Sequence, residues 1–325
     1  MTAVAAGHSH GAPAISVLIP TFNRREIALR CIAALDAQQL PPGTMEVIMV
    51  DDGSSDGTAA AILAAGARMA TPITCLTQSN AGANAARNRA IAASRAPLAL
   101  FLNDDSIAAP GMVAEHLRQH AAHPAETDAV LGGLLLPEAP PPGLFEVLHH
   151  DAALAVRPAG EDLGWRAFYT FNLSVKTSLL RRHGGFNPDL RWHEDIEFGR
   201  RLSADGLRVL HAPAATAVHL HPMNEAGWLG IADREGRALA AWLVHEPGLR
   251  DELVQLGLHS LKLGTRAPRH AMADLVLKLL TEPAALWVAR RLARRQPKAA
   301  AAVYRKLFQA RKRRAIDAAL PDGFV

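Results

Sequence analysis

Cysteine is scarce in this 325-residue chain, with Cys31 and Cys75 the only two. Both sit in apolar, patterned segments without metal-ligand spacing. This argues against a disulfide and points to buried thiols in a reducing compartment. Apolar runs are short, and none approaches the roughly 20 residues of a membrane span. Residues 1–14 lack the basic start and apolar core of a secretory signal. They read as a disordered tail, with a metal site at His8 and His10 as the alternative. No internal repeat is present. At 49% hydrophobic and 20% charged residues the chain is globular. Its length suits one large α/β domain with an appendage, or two domains.

Acid is missing from one region in particular. Residues 290–314 hold 11 Lys or Arg and no Asp or Glu, and subtracting 11 from the formal charge of +4 leaves −7 for the rest. An acidic body argues against nucleic-acid binding, and the basic segment takes a local electrostatic role. Leu292, Val303, Tyr304, Leu307 and Phe308 punctuate it, with Trp287 just before. Two readings stand: a basic amphipathic helix on an anionic membrane, or a solvated helical face.

The first 105 residues alternate between two periods. Ile15 to Ile19 reads as a buried strand stopped by Pro20, and Asn23 with Glu26 as a capping box opening a helix to about Gln39. Val47 to Val50 is a second strand, ending in Asp51-Asp52-Gly53-Ser54. A helix follows from about Thr58, then a strand at Ile73 to Leu76 and a helix from Ala83 to Ser94. The apolar run Pro97 to Leu102 ends abruptly in Asn103-Asp104-Asp105. A β-α-β-α-β-α-β order of this kind predicts a parallel sheet wound with helices. Ligands bind beyond the carboxyl ends of such strands, where each run here turns polar. Paired carboxylates at that rim suit a hard divalent cation that also grips phosphates.

The second half reads differently. Pro110 starts a helix to about His120, Ala129 to Leu136 is a strand, and Pro137 to Gly143 is a loop. Ala167 to Lys176 alternates like a strand. Trp192-His193-Glu194-Asp195 opens a helix to about Leu202, and Leu207 to Leu210 is a short strand before His219-Leu220-His221-Pro222. From Ala226 the pattern is helical, with breaks at Pro247, Pro268, Pro283 and Pro297.

An ordered set of motifs spans about residues 15–222. It comprises Ile-Pro-Thr-Phe-Asn-Arg at 19–24, Val-Asp-Asp-Gly-Ser-Ser-Asp-Gly-Thr at 50–58 and Asn-Ala-Gly-Ala-Asn-Ala-Ala-Arg-Asn at 80–88. Phe-Leu-Asn-Asp-Asp at 101–105, Gly-Gly-Phe at 184–186 and Glu-Asp at 194–195 complete it. Each motif is weak alone; the series resembles a family 2 glycosyltransferase. The resemblance implies an α/β GT-A fold, a mostly parallel Rossmann-like sheet flanked by helices. Residues 15–105 would form its nucleotide-binding half and 106–222 its acceptor-binding half, followed by a helical basic extension at 223–325. It implies an inverting transfer from a nucleotide-diphosphate sugar, UDP- or dTDP-linked, assisted by Mg or Mn. Pro20, Thr21 and Asn23 would line the nucleotide pocket. Asp52 would bond the base, with Asp51 nearby, and Arg87 would contact nucleotide or diphosphate. Asn103 stands where the metal motif usually begins, Asp104 would approach the ribose or sugar, and Asp105 would hold the metal. His219 or His221 would complete the metal shell. Glu194 and Asp195 match the acceptor-side acids, with Asp195 as base, and Trp192 beside them would stack on a sugar.

The chemistry independently needs two acidic sites. A cation offsets charge on the leaving diphosphate, and a carboxylate on the opposite side takes the acceptor hydroxyl's proton. Each residue also has a structural reading. Asp51-Asp52-Gly53-Ser54 can be a turn, Arg87 a solvated helical arginine, and Glu194-Asp195 acids favoured in a helix's first turn. The histidines can be packing or surface residues, and Trp192 a packing ring. Asn103 in place of Asp removes one negative charge. The Gln-x-x-Arg-Trp motif of processive synthases does not follow Asp195, so a non-processive enzyme adding one sugar to a glycan, lipid-linked or small-molecule acceptor is expected. The expected place is cytoplasmic, at most peripheral to the inner membrane face. A degenerate sugar- or partner-binding module of the same fold is the alternative. A nucleotidyltransferase is disfavoured because Pro20-Thr21-Phe22-Asn23 carries no glycine.

Overall fold

The computed structural model describes residues 3–4, 11–140, 142–150, 154, 156–260, 262–265 and 282–324. His8, His10 and Pro268 lie outside them. Residues 1–137 with 151–221 form one compact unit, and 138–150 with 222–325 another. Residues 138–150, which the sequence reading placed before the boundary at 222, thus group with 222–325.

The first unit is built on one nine-stranded sheet. Its strands are β1 (Ala3–Val4), β2 (Ile15–Thr21), β3 (Met45–Asp51), β4 (Ile73–Thr77), β5 (Leu98–Leu102), β6 (Ser106–Ala108), β7 (Asp128–Leu135), β8 (Asn172–Lys176) and β9 (Arg208–His219), in the order β1-β4-β3-β2-β5-β8-β7-β9-β6. Strands β4, β3, β2 and β5 run parallel, as the alternating pattern predicted. Helices α1 (Arg25–Asp36), α2 (Thr58–Gly66), α3 (Ala83–Ala93) and α4 (Met112–Ala122) join the unit, with α6 (Thr177–Arg182) and α7 (Glu194–Ser203) later in the chain. The sheet is covered on two faces. Ile15, Val17 and Ile19 join Cys31, Ile32 and Leu35 in one cluster; Leu18, Ile48 and Phe101 join Phe186 and Phe198 in the other. Alternation along β2 thus feeds both layers.

Four details depart from the sequence reading. Pro20 does not stop β2; the pairing of β2 with β5 ends at Leu18, so beyond it only β3 is a neighbour and a missing N–H is tolerated. Asn23 does not cap α1; its φ is 51°, and its side chain accepts the Ser55 N–H at 2.8 Å. The tail at 1–14 is not wholly without structure, since Ala3–Val4 pairs antiparallel with Thr74 and Cys75 on the sheet edge. The strand expected at Leu207 to Leu210 runs instead for 12 residues to His219, pairing with β7 and then β6.

Strand β8 turns the sheet antiparallel, pairing with β5 on one side and β7 on the other. Its first residue, Asn172, is fully buried. The Asn172 amide donates to Gly133 O at 3.1 Å and Ala215 O at 2.7 Å, and its Oδ1 lies 2.9 Å from His116 Nε2. A Cβ on Gly132 would stand 2.2 Å from that amide and 2.3 Å from Ala215 O, so only glycine leaves room there. The register of β7 on β9 shifts at the same Gly132-Gly133 step. Helix α7 is fixed as tightly: a Cβ on Gly199 would meet Phe168 Cβ at 2.5 Å and Trp165 O at 2.6 Å.

The second unit is helical: α5 (Leu144–His149), α8 (Glu225–His245), α9 (Arg250–Gln255), α10 (Glu282–Ala293) and α11 (Pro297–Ala319). Gly236 of α8 lets the backbone of α11 approach, with Lys312 O at 2.5 Å from where a Cβ would stand. Phe145, Trp228, Tyr304 and Phe308 pack ring on ring, with the Phe145 and Tyr304 centroids 4.9 Å apart. No helix among the described residues is long and apolar enough to cross a membrane.

Candidate active site

The polar residues predicted at the strand ends do gather at the carboxyl edge of β2, β3, β4 and β5, and they hold one another. Thr21 donates to Asp104 Oδ2 at 2.7 Å. Asn23 binds the loop after β3, accepting from Ser55 N–H and donating its own N–H to Ser54 Oγ at 2.8 Å. Asp51 accepts the Ser54 hydroxyl and N–H. Asp52 accepts from Gln78 Nε2 at 2.8 Å, Ala81 N–H at 2.9 Å and Gly82 N–H at 2.8 Å. A carboxylate has about four acceptor sites, so three of the Asp52 sites are in use at the start of α3. Pro20 is half-buried in β2, and Asn103 O accepts the Ser106 N–H at 3.1 Å in the turn after β5.

Asp104 and Asp105 are buried at that turn, at 7% and 5% exposure. Their surroundings differ. Asp105 Oδ2 lies 2.9 Å from His221 Nδ1, and Arg24 Nη1 donates to it at 2.6 Å. His219 Nε2 stands 3.5 Å from Asp105 Oδ1, a buried oxygen with no hydrogen-bond partner among the described residues. Burial opposes ionisation of Asp105, yet the two imidazoles and Arg24 hold it well below the usual carboxylate range. Burial pushes Asp104 up to about 6 against the pull of Thr21 and Arg24. Strand β9 delivers the histidines: Ser106 pairs with His219, Leu220 N–H donates to Asp105 O at 2.8 Å, and the two rings stack with centroids 5.4 Å apart. One ligand atom from each of Asp105, His219 and His221 lies within 4.8 Å of the others. With an unpartnered buried carboxylate oxygen among them, this donor set fits a divalent cation. The sequence offered His219 or His221; the fold brings both.

The second acidic group sits at the start of α7. Asp195 accepts N–H bonds from Ile196 and Thr170. Burial and then the charge of Glu194 push Asp195 up to about 7, with Arg87 pulling the other way. Thr170 lies two residues before Asn172, and Asn172 pairs with Leu102 at the end of β5. The acids at 104–105 and the Thr170 partner of Asp195 therefore leave the same sheet edge from neighbouring strands. Adjacent strands are only about 4.8 Å apart.

Arg87 reaches the second acidic group. It lies against Glu194 Oε1 at 3.0 Å and Asn84 Oδ1 at 3.2 Å, with its guanidinium 5.5 Å from the Phe186 ring centroid. A buried guanidinium needs a carboxylate, and Glu194 supplies it here. Helix α3 is tied to the same segment by Asn84, which donates to Asn187 O and Leu190 O, and by Asn88, which exchanges two 2.7 Å bonds with Phe186. Trp192 is half-buried beside the acidic pair. Sequence reading missed Arg24, although a cation directly after Pro-Thr-Phe-Asn was a visible signal. It also missed Thr170, for which no local signal exists.

Comparison with known proteins agrees with this geometry. Residues 16–135 match the family model described as Glycosyl transferase family 2. The chain is 31% identical over 228 residues to validoxylamine A glucosyltransferase of Streptomyces hygroscopicus subsp. limoneus, covering 62% of this chain and 50% of that protein. The chain thus spans about half the length of that curated relative. In three dimensions it resembles the mannosyltransferase PcManGT of Pyrobaculum calidifontis in complex with GDP-Man and Mn2+, at TM-score 0.60 and 22% identity, over 92% of this chain and 86% of that one. It also resembles S. aureus TarS 1–349 in complex with UDP-GlcNAc, at TM-score 0.55 and 16% identity, over 92% and 90% of the two chains. The motifs, the mixed sheet with its flanking helices and these likenesses agree: residues 16–135 carry the glycosyl transferase family 2 sequence, on a GT-A fold.

Proposed function

We propose that this protein transfers one sugar from a nucleoside-diphosphate sugar to an acceptor hydroxyl, with inversion at the anomeric carbon and without processive elongation. One observation supports the reading: Asp105, in the turn after β5, and Thr170, the partner of Asp195 just before β8, lie at one sheet edge on adjacent strands, and the two carboxylates have opposite electrostatic surroundings. Asp105, His219 and His221 would hold a divalent cation, which when bound offsets negative charge on the departing diphosphate. Two imidazoles beside one carboxylate suit Mn better than Mg, which prefers an oxygen shell. Asp195 acts as the base that takes the acceptor proton, and its pKa near neutrality matches that task. Arg87 pairs with Glu194 and keeps the neighbouring negative charge from raising Asp195 further. Asp52, Asn23 and the loop at 51–55 shape the nucleotide end, and Trp192 offers a ring face to the acceptor.

The donor is UDP- or dTDP-linked and the acceptor a glycan, a lipid-linked sugar or a small hydroxylated molecule. The neighbour bound to UDP-GlcNAc and the glucosyltransferase relative support a hexosyl donor. The second reading, a binding module without turnover, draws on Asn103 in place of a carboxylate. Nucleotide-sugar hydrolysis and transfer measured with Mn, with Mg and with chelator separate the two. Turnover that requires the metal and is lost in Asp195→Asn supports the enzyme, as does a product of inverted configuration by NMR. Donor binding with no turnover under any metal would leave the binding module.

A further inference from the structure

The 11 cations of residues 290–314 fall into two populations. Arg290 pairs with Glu225 at 2.5 Å, Arg311 with Asp233 at 2.7 Å, Lys312 with Glu235 at 3.1 Å and Arg314 with Glu282 at 2.7 Å. Arg313 is buried. These five are bound up in the helical unit, so a freely basic helix over the whole segment, as the sequence suggested, is not what forms. The other six are Arg291, Arg294, Arg295, Lys298, Arg305 and Lys306. All are exposed, and none has an acidic partner among the described residues.

Four of the six gather around the α10–α11 turn with one large apolar ring. Trp287 is 61% exposed, whereas Trp228 and Trp242 of the same unit are 4% and 3% exposed. Residues 287 and 291 are spaced i and i+4 on α10, which puts them on one face, while Ala285 and Ala289 are buried; Arg294 follows in the turn directly after the helix. The Arg291 guanidinium lies 5.7 Å from the Trp287 ring centroid. Arg295 and Lys298 continue the charge across the turn.

We propose that this face, Trp287 with Arg291, Arg294, Arg295 and Lys298, docks the protein on a membrane surface that carries anionic lipid headgroups. An indole belongs at headgroup depth, and guanidinium and ammonium groups meet lipid phosphates there. None of these four cations has an acidic partner among the described residues, so their charge is open to an anionic surface. A single-stranded nucleic acid would instead call for several rings along a cationic groove, and one ring on the outer face of a helix does not provide that. The docking face lies in the helical unit and does not depend on the transfer chemistry.

The test uses the full chain with sucrose-loaded vesicles of phosphatidylcholine alone and of phosphatidylcholine with phosphatidylglycerol, at low and high salt. Wild type should sediment with the anionic vesicles, release at high salt and ignore the neutral ones. Each basic residue near an anionic surface contributes about five-fold in affinity, so Arg291→Gln, Arg294→Gln, Arg295→Gln and Lys298→Gln together should weaken binding about a hundred-fold or more. Anionic vesicles should shift tryptophan emission to the blue in wild type and not in Trp287→Phe. Equal sedimentation of the quadruple variant, an unchanged blue shift in Trp287→Phe, or binding to soluble RNA but not to vesicles would each overturn the proposal. Because these positions are exposed, an unchanged thermal unfolding midpoint shows that a lost signal is lost docking.

Discussion

Asp105 and Asp195 are both carboxylates withdrawn from water at one edge of the sheet, yet their surroundings drive them in opposite directions. Two imidazoles and Arg24 keep Asp105 charged. Glu194 and desolvation bring Asp195 up to about 7. Burial alone does not decide what an acid can do; the sign of its nearest neighbours does. The first arrangement suits an ion ligand and the second a group that takes up and returns a proton near neutrality.

The largest expected effect comes from removing the second acid. Asp195→Asn keeps the shape and removes the proposed base, and should lower transfer by about 100- to 10,000-fold while donor binding, read by calorimetry, stays unchanged. Lost donor binding in that variant would erase the distinction between the two corners. Next, Asp105→Asn should weaken Mn binding, followed by its EPR signal, by more than the roughly 10- to 100-fold typical of outer-shell partners. The pH profile sharpens the contrast. A base with a pKa of about 7 is ionised above it, so activity should rise through pH 7 and fall about tenfold per unit well below. Glu194 raises Asp195, so Glu194→Gln should move this limb toward acid; Arg87 lowers it, so Arg87→Met should move the limb toward alkali. A limb that stays put in both variants would detach it from Asp195. The smallest effect is on stability. Gly132→Ala forces a methyl group against Asn172 and Ala215, and should cost about 1–3 kcal/mol in a denaturant melt.

The first 105 residues were legible because local patterns decide them. Alternating strand and helix periods gave β2 to β5 and α1 to α3, and each apolar run ended in polar residues that do gather at one edge. The residues from 106 to 222 were less legible, because long-range pairing decides them. Nothing near Asn172 announces that it will sit opposite Leu102, and nothing near Thr170 announces a bond to Asp195. The 12-residue β9 extends beyond its legible short run because Pro213, with no N–H to donate, sits among three residues of β9 that bulge out of the pairing with β7. Asn23 and Glu26 had the spacing of a capping box, but the loop at 51–55 competes for the Asn23 side chain and wins it. Arg87 shows the same limit: its motif is local, whereas its carboxylate partner is 107 residues away.

Helix α3 has 11 residues; the backbone leading into it holds Asp52, and its middle holds Glu194 through Arg87. It is a single rod with two grips, one at its start on Asp52 and one at its middle on Glu194. Inserting one residue between Gly82 and Arg87 would turn the guanidinium by about 100° around the helix axis and release the second grip while keeping the first. The spacing between those two positions is therefore a ruler for the whole catalytic edge, and length changes should be tolerated far less there than in the loops that join the strands.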